Sequence, residues 1–250
     1  MCDEWMPTLK LSISHDEWRQ LPRNAAYKYE YLNGRAWLTP RPKFYHALLE
    51  LPPLAGRPLE GRGGEVAIRP LRDDDWERLV PVFAASFDRQ QPYSGLDREE
   101  RLVAARRSLE YTRDRGDGPL IRAASFTAHD AAHGGLAGAI VVTLLPDADP
   151  TEWGAFHWPE PPPPDCVERR AGRPHLTWVF VVPTRAGEGV GTALLDAAVR
   201  GLLGLGFTQL ASTFLAGNDS SMLWHWRNGF RLLPYPGSKR TTRERWSAPP

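Results

Sequence analysis

The stretch from His175 to Leu195, HLTWVFVVPTRAGEGVGTALL, limits what this chain can fold into more than any other. Leu176 to Val182 is a continuous apolar run rich in β-branched and aromatic residues, the pattern of a strand buried on both faces. Pro183 ends it. Gly187, Gly189 and Gly191 follow at alternate positions, and apolar residues then recur at Val190, Ala193, Leu194, Ala197, Ala198, Gly201 and Leu202, which is helical spacing with one apolar stripe. The order is therefore buried strand, glycine loop, helix start. A helix start leaves backbone N–H groups without internal partners, and the helix dipole adds partial positive charge there. Glycines let that backbone close on a ligand with no Cβ in the way. Together these features predict an anion site, most often for phosphate, and so a phosphate-bearing cofactor held by main-chain amides.

Three phosphate loops share that outline. A P-loop needs Gly-Lys-Ser/Thr at its end, and Gly191 is followed by Thr192 with no lysine. A dinucleotide loop needs G-x-G-x-x-G, which places Thr192 or Leu194 where the last glycine belongs. The third pattern, V-x-P-x-x-x-G-x-G-[IV]-G-x-A-L-L, is met from Val181 to Leu195 and resembles the acyl-CoA loop of the GCN5-related N-acetyltransferase superfamily. The chain also resembles that superfamily in its closing N-x…G-F segment, which runs from Asn218 to Gly229-Phe230. The resemblance spans Glu65 to Tyr235.

The resemblance implies acetyl-CoA as cosubstrate and no metal. It implies that the backbone of Gly187, Gly189, Val190, Gly191 and Thr192 holds the pyrophosphate, with Asn218 nearby, and that Phe180, Val181 and Val182 bind the pantetheine arm and acetyl oxygen. Two loop positions depart from the family pattern. Ala186 stands directly before the first glycine, where Arg or Gln is common, with Arg185 one position earlier; Glu188 stands where a basic residue is common and is expected to face solvent, since a carboxylate turned to phosphate would repel it. The tyrosine that the family often uses as general acid is replaced by His225, which as an imidazolium could donate a proton to the leaving thiolate. His175, eleven residues before Ala186, falls where some branches carry a glutamate base; Glu152 and an ordered water chain are alternatives.

Outside this centre, residues 1-62 read as an extension. Ser14 and Glu17 form a capping-box pattern for a short helix, Asn33-Gly34 marks a hairpin within Tyr27–Leu38, the run to Leu51 reads as a short helix, and Pro52 to Gly64 as a linker. The main domain is expected over 65-250. Val66–Pro70 reads as a strand, Asp73, Asp74 and Asp75 as caps for a helix carrying Trp76, Leu79, Val80, Phe83 and Phe87 on one side, and Asp97 to Arg115 as a second helix. Leu120–Thr127 and Leu136–Leu145 read as strands joined by a polar loop that carries His129 and His133, both expected in solvent. Residues 146-174 form a Pro/Trp-rich insertion, with Trp153, Phe156, His157 and Trp158 as a possible lid. Thr208–Leu215 and Phe230–Tyr235 complete the strands. The fold class expected is α/β (α+β), a mixed, splayed central sheet flanked by helices.

Composition excludes several classes. A net charge of +1 argues against a dedicated nucleic-acid binder, which shows a basic stripe. No apolar run approaches the length of a membrane span. The first residues, MCDEWMPTLK, contain acids and lack an apolar signal core, so a cytoplasmic location is expected. Cys2 and Cys166 offer neither metal-ligand spacing nor a disulfide framework. The function expected is acetyl transfer from acetyl-CoA to a primary amine of a small molecule or peptide by direct attack on the thioester, in a monomer or homodimer. The alternatives are a non-catalytic acyl-CoA-binding or regulatory module, which would bind coenzyme A without turnover, and an unrelated nucleotide-binding domain with no affinity for coenzyme A.

Overall fold

The structure, a computed structural model, describes residues 9–22, 27–40, 44–51, 66–90, 93–131, 134–147, 157–215 and 218–233. The N-terminal part forms a small antiparallel sheet of β1 (Leu9–Leu11), β2 (Tyr27–Leu32) and β3 (Arg35–Pro40), in the order β1-β3-β2. Asn33 (φ 51°) and Gly34 (φ 73°) both lie in the left-handed region, as the tight two-residue turn between β2 and β3 requires. Helix α1 (His15–Gln20) starts with the capping box expected, since Ser14 Oγ accepts from Glu17 N and Glu17 Oε2 accepts from Ser14 N.

The main sheet has seven strands in the order β10-β4-β9-β8-β7-β6-β5. These are β4 (Phe44–Glu50), β5 (Val66–Pro70), β6 (Phe126–Asp130), β7 (Leu136–Leu145), β8 (Arg173–Val181), β9 (Gln209–Leu215) and β10 (Arg231–Leu232). Every neighbouring pair is antiparallel except β8 and β9, which run parallel. Helix α4 (Val190–Gly204) packs on one face through Val190, Leu194, Leu195, Ala198 and Leu202, against Ile140, Val142 and Leu176. Helices α2 (Asp75–Ser86) and α3 (Arg98–Arg113) cover the other, where Leu79, Phe83, Ala105 and Leu109 meet Ala139, Val141 and Phe180. The alternation of buried side chains along β7 thus serves two cores at once, which explains why the strand reads as apolar throughout. Helix α5 (Asp219–Arg227) follows β9. The fold class agrees with the mixed, splayed sheet expected from the sequence.

Three local expectations are corrected. The run ending at Leu51 is strand, not helix: β4 pairs with β9 over seven residues, from Phe44↔Leu215 to Glu50↔Gln209. A short apolar run of this kind is ambiguous by periodicity, and burial between two neighbours decides it. The sheet's hydrogen bonding therefore crosses the boundary expected between 1-62 and 65-250. The strand expected at Leu120–Thr127 begins only at Phe126; Arg122–Ala124 form a 3₁₀ turn, and Leu120 makes a single bridge to Thr143. His129 is a buried residue of β6, its Nε2 3.0 Å from Thr127 Oγ1, and not a solvent-facing loop histidine. Glu65, His133, the 52–64 linker, Glu152, Trp153, Phe156 and the segment after Leu233 lie outside the described residues. In the insertion, Trp158 is anchored to the sheet by its Nε1–H, which donates to Leu144 O at 2.9 Å.

Gly201 marks where α4 meets the 3₁₀ turn most closely: a Cβ there would stand 1.8 Å from Ala123 O. An exposed mid-helix Gly→Ala change ordinarily stabilises by about 1 kcal/mol. Here the sign reverses, and Gly201→Ala is expected to destabilise by about 1–3 kcal/mol through forced displacement of backbone, measured as a lower midpoint in urea unfolding.

Candidate functional site

The site begins where the parallel pair comes apart. β8 and β9 are in register only at His175↔Ala211 and Leu176↔Ser212, although β8 continues to Val181 and β9 to Leu215. On its other edge β8 stays paired with β7 as far as Gly138↔Val181, with a bulge where Val141↔Trp178 is followed by Val142↔Leu176, leaving Thr177 as the extra residue. A bulge bends its strand and sharpens its twist. Beyond it, β8 turns away from β9 and a cleft of about 540 Å³ opens. Val179, Phe180 and Val181 form its strand wall, the loop from Arg185 to Gly187 and the start of α4 its end, and α5 its opposite side.

The loop is shaped by its glycines. Pro183–Arg185 make one 3₁₀ turn, and Gly187 (φ 85°) and Gly189 (φ 84°) then take left-handed conformations that a side chain would strain. Gly189 is the N-cap of α4, with no side-chain cap, and no acidic residue occupies the first turn. No side-chain cap therefore meets the N–H groups at the start of α4. Gly191 supplies close approach, since a Cβ there would lie 3.0 Å from Trp224 Nε1. Gly187, Gly189, Val190, Gly191 and Thr192 all line the cleft, as do Ala186 and Asn218, whose Oδ1 accepts from Ser221 N at 3.0 Å and starts α5.

Two loop side chains pair with each other. Glu188 is exposed, and its Oε2 lies 3.3 Å from Arg185 Nε, so the carboxylate is turned back along the loop. Arg185 lines the cleft between that group and Asp130, whose Oδ2 lies 3.8 Å from Arg185 Nη2. A guanidinium between two carboxylates brings little net positive charge to the cleft, which leaves the attraction of an anion mainly to the helix start.

The two histidines are not brought together with the loop. His225 is 3% exposed and lies in the core. Its Nδ1 is 2.7 Å from Ser221 O, which can only accept, so Nδ1 carries the proton; Nε2 then accepts from Ser212 Oγ at 2.7 Å. Its ring stacks on Phe214 at 4.4 Å and meets Trp224 and Phe230 edge-on. Burial pushes its pKa down to about 4, so it is a neutral imidazole at pH 7 and pins α5 to β9. His175 is also buried, on the α2–α3 side of β8, with Nε2 3.1 Å from Thr213 Oγ1 and Nδ1 3.3 Å from Thr177 Oγ1. Burial, with His46, Arg173 and His225 nearby, lowers its pKa to about 3.

Several cleft residues escaped the sequence reading. Ser86, Phe87 and Gln90 come from the end of α2, where Phe87 reads as one more core position. Ser220, Leu223, Trp224, Arg227 and Asn228 come from α5. Their spacing is a helical stripe, but one that mixes polar and apolar residues and so gives no amphipathic signal. Among the described residues, no three His, Cys, Asp or Glu side chains gather as a metal site, and no helix is long and apolar enough to cross a membrane.

No protein-family model matches the chain, and no curated protein matches its sequence. Solved structures do match. Many are GCN5-related N-acetyltransferases. One from Brucella melitensis, in complex with acetyl-CoA, is 23% identical over 56% of this chain and 70% of its own, with a TM-score of 0.37. A GCN5-related N-acetyltransferase from Sphaerobacter thermophilus is 14% identical over 76% of this chain, which spans 48% of that protein, with a TM-score of 0.48. The PaiA N-acetyltransferase of Thermoplasma acidophilum, in complex with coenzyme A, is 18% identical over 65% of this chain and 87% of its own, with a TM-score of 0.45.

The buried histidines make stability depend on pH. His46 and His225 are held near 4 and His175 near 3, each below the ordinary value of 6.5 that it regains on unfolding. The folded state therefore binds fewer protons than the unfolded state between about pH 4 and 6.5. Stability is full above pH 6.5 and falls as the pH drops through that window, by up to about 1.4 kcal/mol per pH unit for each histidine. Thermal midpoints at pH 7.5, 6 and 5 are expected to decline at an increasing rate, and the proton uptake on unfolding at pH 5 to approach about three, one for each of His46, His175 and His225.

Proposed function

We propose that the chain is a GCN5-related acyltransferase that moves an acetyl group from acetyl-CoA to an amine of a small molecule or peptide. One observation carries this reading: the divergence of β8 from β9 places an unpaired strand edge and the open start of α4 on two walls of one cleft. The volume suits a cosubstrate-sized ligand. The α4 amides at Gly189, Val190, Gly191 and Thr192 suit a pyrophosphate, and Gly187 gives it room, because a Cβ there would meet nothing within 4 Å. The edge of β8 at Val179–Val181 suits the amide-bearing pantetheine arm, as an added strand would.

Acetyl-CoA supplies an activated carbonyl, so the chain need not provide a covalent nucleophile. Its work is to hold the thioester, to aim main-chain N–H groups near Phe180 at the developing oxyanion, and to place the amine. Because both nitrogens of His225 are engaged in the core, a water at the cleft takes over the protonation of the thiolate. The acceptor approaches from the α2–α3 face, past Phe87. We place the protein in the cytoplasm, as a monomer or homodimer.

Calorimetry with acetyl-CoA tests the cleft, and thiol release in the presence of an amine panel tests transfer. Gly189→Asp puts a carboxylate against the α4 amides and is expected to weaken acetyl-CoA binding by at least about tenfold, or 1.4 kcal/mol, in a protein that still melts cooperatively. Unchanged affinity would remove the loop from the reading. Binding without any thiol release would favour the second reading, a non-catalytic acyl-CoA-binding module, for which the withdrawal of His225 from the cleft speaks.

A further inference from the structure

The end of α2 enters the cleft at one corner, where Ser86, Phe87 and Gln90 line it. Phe87 is the C-cap of the helix, its N–H donating to Phe83 O at 3.1 Å. The ring is half-buried. It borders the cleft and packs inward on Phe83, Tyr93, Trp178 and Phe180, with centroids 4.5, 5.3, 6.1 and 6.4 Å away. Of these, Phe83, Tyr93 and Phe180 are buried. Ser86 beside it spends its hydroxyl proton on Val82 O at 2.7 Å, so the corner presents chiefly an aromatic ring.

Helix α3 pins this cluster from one face. Arg101, Ser108 and Thr112 stand at i, i+7 and i+11, a spacing that returns to the same side of a helix. Arg101 Nη2 pairs with Asp88 Oδ1 at 2.8 Å, next to Phe87 in the chain. Ser108 Oγ and the Tyr93 hydroxyl lie 3.1 Å apart. Thr112 Oγ1 accepts from Trp178 Nε1–H at 2.8 Å. The turn after α2 is closed in the same region by Gln90 N–H to Phe87 O at 3.1 Å and Tyr93 N–H to Gln90 O at 2.9 Å. An aromatic ring tied by its polar handle cannot shift without leaving a buried donor unmet. The rings behind Phe87 are therefore a firm wall, and Phe87 has nowhere to retreat.

This corner stands away from the glycine loop. The lining residues of β8 run from Val179 to Val181, and the loop follows Val181. Phe87 packs on Trp178, which precedes Val179, and so stands by the strand end of that wall. A pantetheine arm that leaves the α4 amides and follows the β8 edge back toward Val179 brings its thioester to Phe87.

We propose that Phe87 is the stop against which the acyl group ends, so that this one ring sets the acyl length and reserves the cleft for the shortest chains. The proposal rests on the acyl-transfer reading. An acetyl group ends in one methyl, which an apolar ring receives without loss. Each further methylene must displace Phe87 against Phe83 and Tyr93, and the cost of overpacking such a wall exceeds the gain from burying a methylene. A longer chain is turned out of the cleft instead, into the space by which the acceptor arrives.

The test is calorimetric titration of the full chain with coenzyme A, acetyl-CoA, butyryl-CoA and hexanoyl-CoA. The wild-type protein is expected to bind acetyl-CoA at least about tenfold more tightly than hexanoyl-CoA, with butyryl-CoA between them. Phe87→Ala should bring the acetyl-CoA and hexanoyl-CoA affinities to within about threefold of each other. Phe87→Trp should act in the opposite direction and weaken acetyl-CoA relative to coenzyme A. Coenzyme A, which carries no acyl group, is the control: a general loss of packing weakens all four ligands alike and leaves their ratios in place. Where Phe87→Ala does not melt cooperatively, Phe87→Leu carries the same comparison with a smaller shift. Hexanoyl-CoA bound by the wild-type protein as tightly as acetyl-CoA, or a folded Phe87→Ala or Phe87→Leu protein that keeps the wild-type preference, would overturn the role of Phe87 and leave the cleft standing. Failure of the wild-type protein to bind either coenzyme A or acetyl-CoA would instead overturn the reading on which the proposal rests.

Discussion

A parallel strand pair that is hydrogen-bonded at only two positions is an unusual expense of backbone in a sheet that is otherwise continuous. β8 is paired along its whole length with β7, yet from Thr177 onward no strand among the described residues lies against its other edge. Backbone N–H and C=O groups are too polar to be left without partners. An edge opened inside a sheet must therefore be met by water or by a ligand that can imitate a strand. The bulge at Thr177 creates this condition, and the remaining features of the site follow from it. The cleft exists because the strands part, α4 starts at its mouth because the loop after β8 is short and glycine-rich, and α5 closes the third side because Asn218 starts it directly after β9.

The parts of the fold that were legible in the sequence are those fixed by local chemistry. The capping box at Ser14, the Asn33-Gly34 turn and the strand–loop–helix order around Pro183 each depend on a few neighbouring residues, and each is present. What was not legible depends on partners distant in the chain. The Phe44–Glu50 run becomes a strand because β9 and β10 flank it. His129 is buried because β5 pairs across it. The same division holds in the site. The backbone of the Gly187–Thr192 loop was readable; the surroundings of His175 and His225 were not, because Ser212, Thr213 and Phe214 reach them across the sheet.

The two histidines show how one residue type is put to opposite uses by its environment. His225 fills both of its nitrogens within the contact between β9 and α5, stacked on Phe214, and behaves as a polar core residue. His175 lies within hydrogen-bonding distance of the Thr177 hydroxyl on its own strand and of the Thr213 hydroxyl on the next. Both are neutral because burial disfavours the charged form. Their difference lies in their partners: a helix carbonyl and a serine hydroxyl for one, threonine hydroxyls within the sheet for the other.

The position of β4 bears on how the chain assembles. Its His46 meets Thr213 of β9 across a separation of 167 residues. Contacts this remote in sequence are the slowest to form, since a long loop must be closed before they give any return. During synthesis β4 emerges 167 residues ahead of its contact on β9, so an apolar segment with two unsatisfied edges waits while the intervening chain is made. Such segments seek other strands. A strand that completes the sheet is therefore synthesised long before its partner, and the nascent chain depends on keeping it from premature pairing.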